Sequence, residues 1–338
     1  MANNKLIIID AFSQIYRGYY AVRALSNSKN QPTNAVFALA KFLLKLYKEH
    51  PSDQGIFVFD AGKPQFRLDL APDYKANRSP MPDDMKVQMP YIEKMIKAFG
   101  WPEIREVGYE ADDLVAAIAK DSKQDEVYII TSDKDVHQVV DDHIKIMVPD
   151  RKQGFEYRGR DEVIDRFQVT PEQIVDYLAM IGDSSDNIPG LAGVGPKTAV
   201  KLLQQFGSIK NMLKKADEIS NAKLRDKVKS NSELLEKNIA LVTLKTDTAN
   251  RLWLKEGALI RREPDWHELA KIFTELELKS LYNEIIKLSD HNVVEEEFIP
   301  EQDNSDDLFA FSAKNSQENK KESPEIKTEN AHEHPDLF

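Results

Sequence analysis

The sequence predicts an α/β fold with a mostly parallel central sheet flanked by helices, on three observations. Short apolar runs of strand length recur: Lys5 to Ile9, Gly55 to Phe59, Val127 to Thr131 and Ile144 to Val148. Segments with helical apolar spacing separate them, which requires crossover connections and hence parallel neighbours. Carboxylates follow the runs, with Asp10 after the first, Asp60 after the second, and Asp133 and Asp135 after the third. In an open parallel sheet the carboxyl ends of the strands form the edge where ligands bind.

Taken in order, residues 11–22 and 35–50 read as the helices between the first two strands. Residues 62–90 carry Pro64, Pro72, Pro80, Pro82 and Pro90 among Lys and Arg, a texture that excludes a regular core element. The interleaving of Phe66-Arg67 and of Tyr74 with Lys75 and Arg78 suits a single nucleic-acid strand, whose phosphates need cations and whose bases need rings. Asn77-Arg78-Ser79 matches a glycosylation sequon, which has no opportunity to act without an export signal. Glu110, Asp112 and Asp113 open a further apolar helix, where the helix dipole favours acids. Asp183 and Asp186 follow the apolar Tyr177 to Ile181.

The stretch from Ile188 to Ala199 resembles a phosphate-binding loop, but Pro196 stands where that motif needs lysine. Gly193 and Gly195 around Val194, with Pro196 opening a helix, read instead as a hairpin whose backbone N–H groups face an anion. Contacts of that kind hold a duplex without reading its sequence. Lysine-rich helices follow at 210–216 and 222–229, then a helix at 232–244. Trp101, Trp253 and Trp266 are assigned to core packing.

The 338 residues, 41% apolar, suffice for one or two packed domains. No apolar run reaches the roughly 18 residues of a membrane span, and Asp10 interrupts the only N-terminal apolar stretch. A soluble, cytoplasmic protein is expected. The absence of cysteine excludes disulfides, thiolate metal sites and cysteine nucleophiles. The net charge of −11 is concentrated at the C-terminus: residues 290–338 hold 14 acids against 4 bases, leaving 43 acids and 42 bases in residues 1–289. Divalent cations on the acid cluster would turn that near-neutral body into one with a surplus of base for a phosphate backbone. The tail is disordered by composition and ends in an apolar pair, Leu337-Phe338, the layout of a short docking motif. Asp306-Asp307-Leu308-Phe309 is a weaker second copy.

Nine carboxylates at one edge cannot all ionise without cations. Oxygen-only ligands select Mg²⁺ or Mn²⁺, and two such ions about 4 Å apart suit in-line displacement at phosphorus. Phosphodiester hydrolysis is the expected reaction class. A catalytically silent DNA-binding protein is the alternative, which so costly an acid set disfavours. A metal-dependent ribonuclease would have no evident use for the 62–90 segment or the glycine hairpin.

These motifs resemble the 5′-nuclease domain of bacterial DNA polymerase I and the flap endonucleases. Over residues 5–289 the pattern comprises Ile9-Asp10 with Tyr16-Arg17-Gly18, Phe59-Asp60, Phe66-Arg67 and Tyr74-Lys75-Ala76-Asn77-Arg78. It continues with Glu110-Ala111-Asp112-Asp113, Thr131-Ser132-Asp133-Lys134-Asp135 and Gly182 to Gly190. The resemblance implies a PIN-like core over 1–175 with a helical arch at 62–90, and a DNA-binding subdomain over 176–289 with a helix-three-turn-helix. It implies a first metal among Asp10, Asp60, Glu110, Asp112 and Asp113, and a second among Asp133, Asp135, Asp183 and Asp186. Lys75 and Arg78 are implied near the scissile phosphate. Arg17, Arg67, Tyr74, Gly190, Gly193, Gly195, Lys197 and Thr198 are implied on DNA, with K⁺ at the helix-three-turn-helix. The implied activity is structure-specific 5′→3′ exonuclease and flap cleavage of DNA, and of RNA primers in hybrids, in Okazaki fragment processing and repair, by a monomer at the bacterial nucleoid. A polymerase would continue beyond residue 289 into further domains, so a standalone nuclease or half of a split enzyme is expected. Pro335, Asp336, Leu337 and Phe338, after His334 in place of the usual glutamine, resemble the pentapeptide that docks replication proteins on the sliding clamp.

Overall fold

A computed structural model describes residues 5–22, 25–50, 54–150 and 154–289. The chain divides into two units, 1–294 and 295–338. The second lies outside the described residues, as do the expected disordered tail and its motif Pro335 to Phe338.

Strand β1 (Lys5–Asp10) leads into α1 (Ala11–Ala21) and α2 (Asn34–Glu49), then β2 (Gln54–Val58). Three helices follow, α3 (Gln65–Leu70), α4 (Asp83–Lys86) and α5 (Met89–Ala98), before the two-residue β3 (Glu103–Ile104). Helix α6 (Ala111–Asp121) connects to β4 (Glu126–Ile130), and a 3-10 turn at Asp135–Val139 precedes β5 (Ile144–Asp150) and β6 (Gly154–Arg158). Among the described residues these strands form one sheet in the order β3-β2-β1-β4-β5-β6, parallel except for β6. The order runs outward from β1 in both directions, so the switch point, the usual ligand position in open parallel sheets, lies between β1 and β4. The four expected strands are present within a residue or two. β3 is too short, and β6 too polar on its open face, to give a periodic signal.

The proline-rich segment is more ordered than its composition suggests. Pro64 and Pro82 precede the first turns of α3 and α4, and Pro90 lies in the first turn of α5, positions where a missing N–H costs nothing. Arg67, Tyr74, Lys75, Met85 and Gln88 are buried anchors, while residues 76–80 are exposed. Gln88 accepts from the N–H groups of Ala35 and Val36 (2.9 and 3.3 Å), satisfying the start of α2, which has no side-chain cap of its own.

The helical part comprises α7 (Arg160–Phe167), α8 (Ile174–Ile181), the hairpin of β7 (Gly182–Asp183) with β8 (Ile188–Pro189), α9 (Pro196–Phe206), α10 (Ile209–Lys214), α11 (Ala222–Ser230) and α12 (Ser232–Val242). The hairpin closes only with glycine at its base. A Cβ on Gly190 would lie 2.2 Å from the Ile181 carbonyl oxygen, and Gly182 has φ +76. The last helices, α13 (Trp266–Glu275) and α14 (Lys279–Leu288), return to the sheet side and pack on α5 and α2. Trp266 meets Tyr47 edge-on at 5.3 Å there. Trp101 and Trp253 are buried.

Candidate active site

The first acids are held by the elements that end at the switch point. Asp10 caps α1, its Oδ1 accepting from Ser13 N–H (3.1 Å) and its Oδ2 from the Thr131 hydroxyl (2.9 Å). Asp60 accepts from Ala111 N–H at 2.8 Å, tying the end of β2 to the start of α6. Asp133 accepts from Asp135 N–H at 2.8 Å. Asp183 is held by Ser185 through N–H and hydroxyl (2.9 and 2.6 Å). Carboxylate oxygens of Asp135, Asp183 and Asp186 all lie within 4.8 Å of one another.

Cations of the chain partly offset this charge. Lys75 Nζ lies 2.6 Å from Glu110 and 3.5 Å from Asp186, Arg78 lies 2.6 Å from Asp186, and Lys134 lies 3.1 Å from Asp183. The Tyr74 hydroxyl is within 2.9 Å of Glu110 and 3.1 Å of Asp186. Lys134 was not singled out in the sequence, although its place between Asp133 and Asp135 made it the nearest counter-ion by chain. On α1 the rings of Phe12, Tyr16 and Tyr20 form a ladder at four-residue spacing, with Tyr20 exposed, a pattern visible in sequence as aromatics on one helical face.

Burial, first of all, pushes Asp10 up to about 7, and the nearby Asp60 and Asp133 charges add to it. Burial likewise raises Asp112 well above the carboxylate range, with Asp133 and Asp10 as the principal repelling neighbours. Asp133 and Asp135 are raised for the same two reasons. Asp183 goes the other way: burial pushes it up, but Ser185 and Lys134 outweigh that and hold it below the usual value. One oxygen each of Asp112 and Asp135 is buried with no hydrogen-bond partner. Buried orphan acceptors among mutually repelling carboxylates, with only oxygen donors, fit hard divalent cations.

A carboxylate raised in the folded state keeps its proton longer there than in the unfolded chain, so its contribution to stability falls as pH rises from the ordinary aspartate value of 3.8 towards about 7 for Asp10. In chelator the melting temperature should therefore fall between about pH 5.5 and about pH 8, and Mg²⁺ should restore it more at the higher pH. Equal midpoints at both, with no response to Mg²⁺, would contradict a repulsive cluster.

Three expectations are corrected by position. Asp113 does not face the other acids. Fully buried, it binds both terminal nitrogens of Arg67 at 2.7 Å and accepts from the N–H groups of Glu110 (3.1 Å) and Lys245 (2.8 Å). Adjacent residues on a helix point about 100° apart, so Asp112 and Asp113 cannot both address one edge. Arg67, expected on DNA, is 2% exposed and fully engaged, also reaching Glu110 and the carbonyls of Leu241 and Thr243. Tyr74, 2% exposed, offers no stacking face. Gly190 has a structural reason in the hairpin base. Arg17 is exposed on α1 and donates to the Pro149 carbonyl at 2.7 Å. Gly193 (φ +82), Gly195 and Lys197 are exposed, and Thr198 partly so, around the start of α9.

An open, mostly parallel sheet whose carboxyl edge carries acids, three of them (Asp135, Asp183 and Asp186) within 4.8 Å of one another, has the architecture of a resolvase-like α/β nuclease domain. Residues 5–168 match the family model "5'-3' exonuclease, N-terminal resolvase-like domain", and residues 169–267 match "5'-3' exonuclease, C-terminal SAM fold". The 5'-3' exonuclease of Aquifex aeolicus is 38% identical over 285 residues, covering 84% of this chain and 96% of that protein. The thermostable DNA polymerase I of Thermus thermophilus is 35% identical over 282 residues, 83% of this chain but 33% of the polymerase. This chain belongs to the 5'-3' exonuclease family. It spans about a third of the length of the polymerases it matches. Among solved structures, T5 5'-exonuclease with bound zinc superimposes with a TM-score of 0.60 at 21% identity, covering 84% of this chain and 99% of that one. The catalytic core of Rad2 in complex with DNA substrate gives 0.57 at 20%, covering 85% and 93%. At these identities the likeness is one of fold.

Among the described residues no helix is long and apolar enough to cross a membrane.

Proposed function

We propose that this chain hydrolyses phosphodiester bonds at 5′ ends and 5′ flaps of DNA, using divalent cations held by Asp10, Asp60, Glu110, Asp112, Asp133, Asp135, Asp183 and Asp186. The observation that carries the reading is the Asp135, Asp183 and Asp186 cluster beside the orphan oxygens of Asp112 and Asp135. Bound Mg²⁺ or Mn²⁺ would supply Lewis acidity at phosphorus and a more acidic water. The chain's own residues do the rest. Lys75 and Arg78 bring positive charge to the mouth of the acid centre, where the non-bridging oxygens of a phosphodiester can take over their bonds from Glu110 and Asp186. Asp183, which Ser185 and Lys134 hold below the usual carboxylate range, stays an anion to lower pH than Asp133 and Asp135, which burial pushes up. The exposed turn at Gly193 and Gly195, opening α9 beside Lys197 and Thr198, offers backbone N–H groups to a duplex phosphate, with K⁺ as a candidate bridge. The exposed residues 76–80, between the anchors at Tyr74 and Met85, are the stretch under which a free 5′ strand would pass.

On this reading residues 1–175 form the nuclease core and 176–289 grip DNA. RNA primers, Okazaki fragment processing, repair, action as a monomer and residence at the bacterial nucleoid are the corresponding cellular proposal. A 5′-flap duplex labelled at either end tests it. Cleavage near the single-strand junction in Mg²⁺, abolished by chelator, is expected. Tight binding without product in Mg²⁺ or Mn²⁺ would favour a silent DNA-binding protein. Docking of Pro335 to Phe338 on a sliding clamp is a separate proposal. Removing those residues should abolish clamp capture and leave flap cleavage intact, whereas unchanged capture would refute it.

A further inference from the structure

The end of α12 and the three residues after it bond to the α8–β8 region, to Gln138 in the 3-10 turn, to Arg67 and to Asp113 on α6. Asn238, fully buried, donates from Nδ2 to the carbonyls of Ala179 (2.9 Å) and Pro189 (2.7 Å), which flank the hairpin bearing Asp183 and Asp186. One turn later the carbonyls of Leu241 and Thr243 accept from Arg67, whose NH1 reaches Glu110 at 3.0 Å. Val242 O accepts from Gln138 Nε2 (3.1 Å), and Gln138 Oε1 accepts from Leu244 N–H (3.0 Å). The same Nε2 lies 2.8 Å from the Asp135 carbonyl, at the head of the 3-10 turn. Lys245 N–H completes the shell of Asp113. Through six of its residues the stretch 238–245 thus fastens three separate segments, α6, the 135–139 turn and the β7–β8 hairpin, each carrying proposed ligands.

We propose that residues 238–245 are a strut that fixes the spacing of these acid groups, with Asn238 and Gln138 as positioning residues acting through the hairpin and the 3-10 turn. The inference rests on the nuclease reading above. It has a functional consequence. The hairpin that Asn238 holds continues directly into the glycine turn and α9, so Asn238 ties the proposed duplex-binding turn and the Asp183 and Asp186 pair to the same stretch of chain. Groups that orient metal-binding side chains without touching the metal are typically worth 10–100-fold in affinity.

The test uses the full chain with Asn238→Leu, which keeps the volume and removes both donors, and Gln138→Leu, which is only partly buried and keeps the test open should the first variant fail to fold. Mn²⁺ affinity is measured calorimetrically without DNA, duplex affinity in chelator, and single-turnover cleavage at saturating substrate. Each variant is expected to bind Mn²⁺ roughly tenfold more weakly, with duplex affinity unchanged, and to recover cleavage as Mn²⁺ is raised. Variants with lowered melting temperature but parental Mn²⁺ affinity and cleavage would overturn the strut and leave these bonds as packing. Because the affinity is read without DNA, that failure differs from failure of the nuclease reading, which a parental chain that binds Mn²⁺ and does not cut would reveal.

Discussion

Asp135→Asn is expected to lower single-turnover flap cleavage by roughly 100-fold or more while leaving DNA affinity intact, since a lost cation ligand forfeits several kcal/mol of charge stabilisation at phosphorus. The substitution keeps the shape of the side chain. At alkaline pH, where Asp135 gives up its proton, it removes one charge from a trio within 4.8 Å and relieves the repulsion on Asp133, Asp183 and Asp186. The metal-free variant should therefore melt higher than the parental chain, and Mg²⁺ should stabilise it less. Function and stability move in opposite directions because the parental cluster is held against its own repulsion for a ligand. A variant with unchanged cleavage would place the chemistry elsewhere.

Arg67→Ala is expected to destabilise the fold by about 3–5 kcal/mol, the usual result of removing one partner of a buried ion pair. Arg67 is the largest fully buried side chain described, and its loss strands the Asp113 carboxylate at zero exposure together with the Leu241 carbonyl. Denaturant unfolding reads the effect directly. Arg67→Ala with Asp113→Leu should recover part of the loss, because no buried charge is then unpaired beside α6. If Arg67→Ala were neutral, the residue would be free for the DNA contact expected from the sequence.

The sheet edge was legible in the sequence because each parallel strand is a short apolar run and the residue ending it sits at the ligand edge. Asp10, Asp60 and Asp133 are thus placed at the carboxyl edge by their position after these runs. The division of labour inside Glu110-Ala111-Asp112-Asp113 was legible in principle, since helical geometry separates neighbours, but the partner that claims Asp113 lies 46 residues away at Arg67. Such pairing leaves no periodic trace. For the same reason Arg67 and Tyr74 read as surface cations and rings, when burial had turned them into counter-ion and donor for Glu110. The prolines of 62–90 misled in another way: three of them begin helices. The role of Asn238 was invisible, since a lone asparagine on an apolar helix face carries no signature.

If the buried carboxylates hold divalent cations, cation binding and proton release are coupled, and one titration reads both. Mg²⁺ is added to the chelator-treated chain in a calorimeter at about pH 6.5, in buffers of different ionisation enthalpy, because cation binding must displace protons from carboxylates with raised affinity for them. Binding with net proton release is expected at that pH, and less release near pH 9, because burial pushes Asp10 up to about 7. Absence of binding heat in every buffer, or binding with no buffer dependence at about pH 6.5, would contradict that expectation.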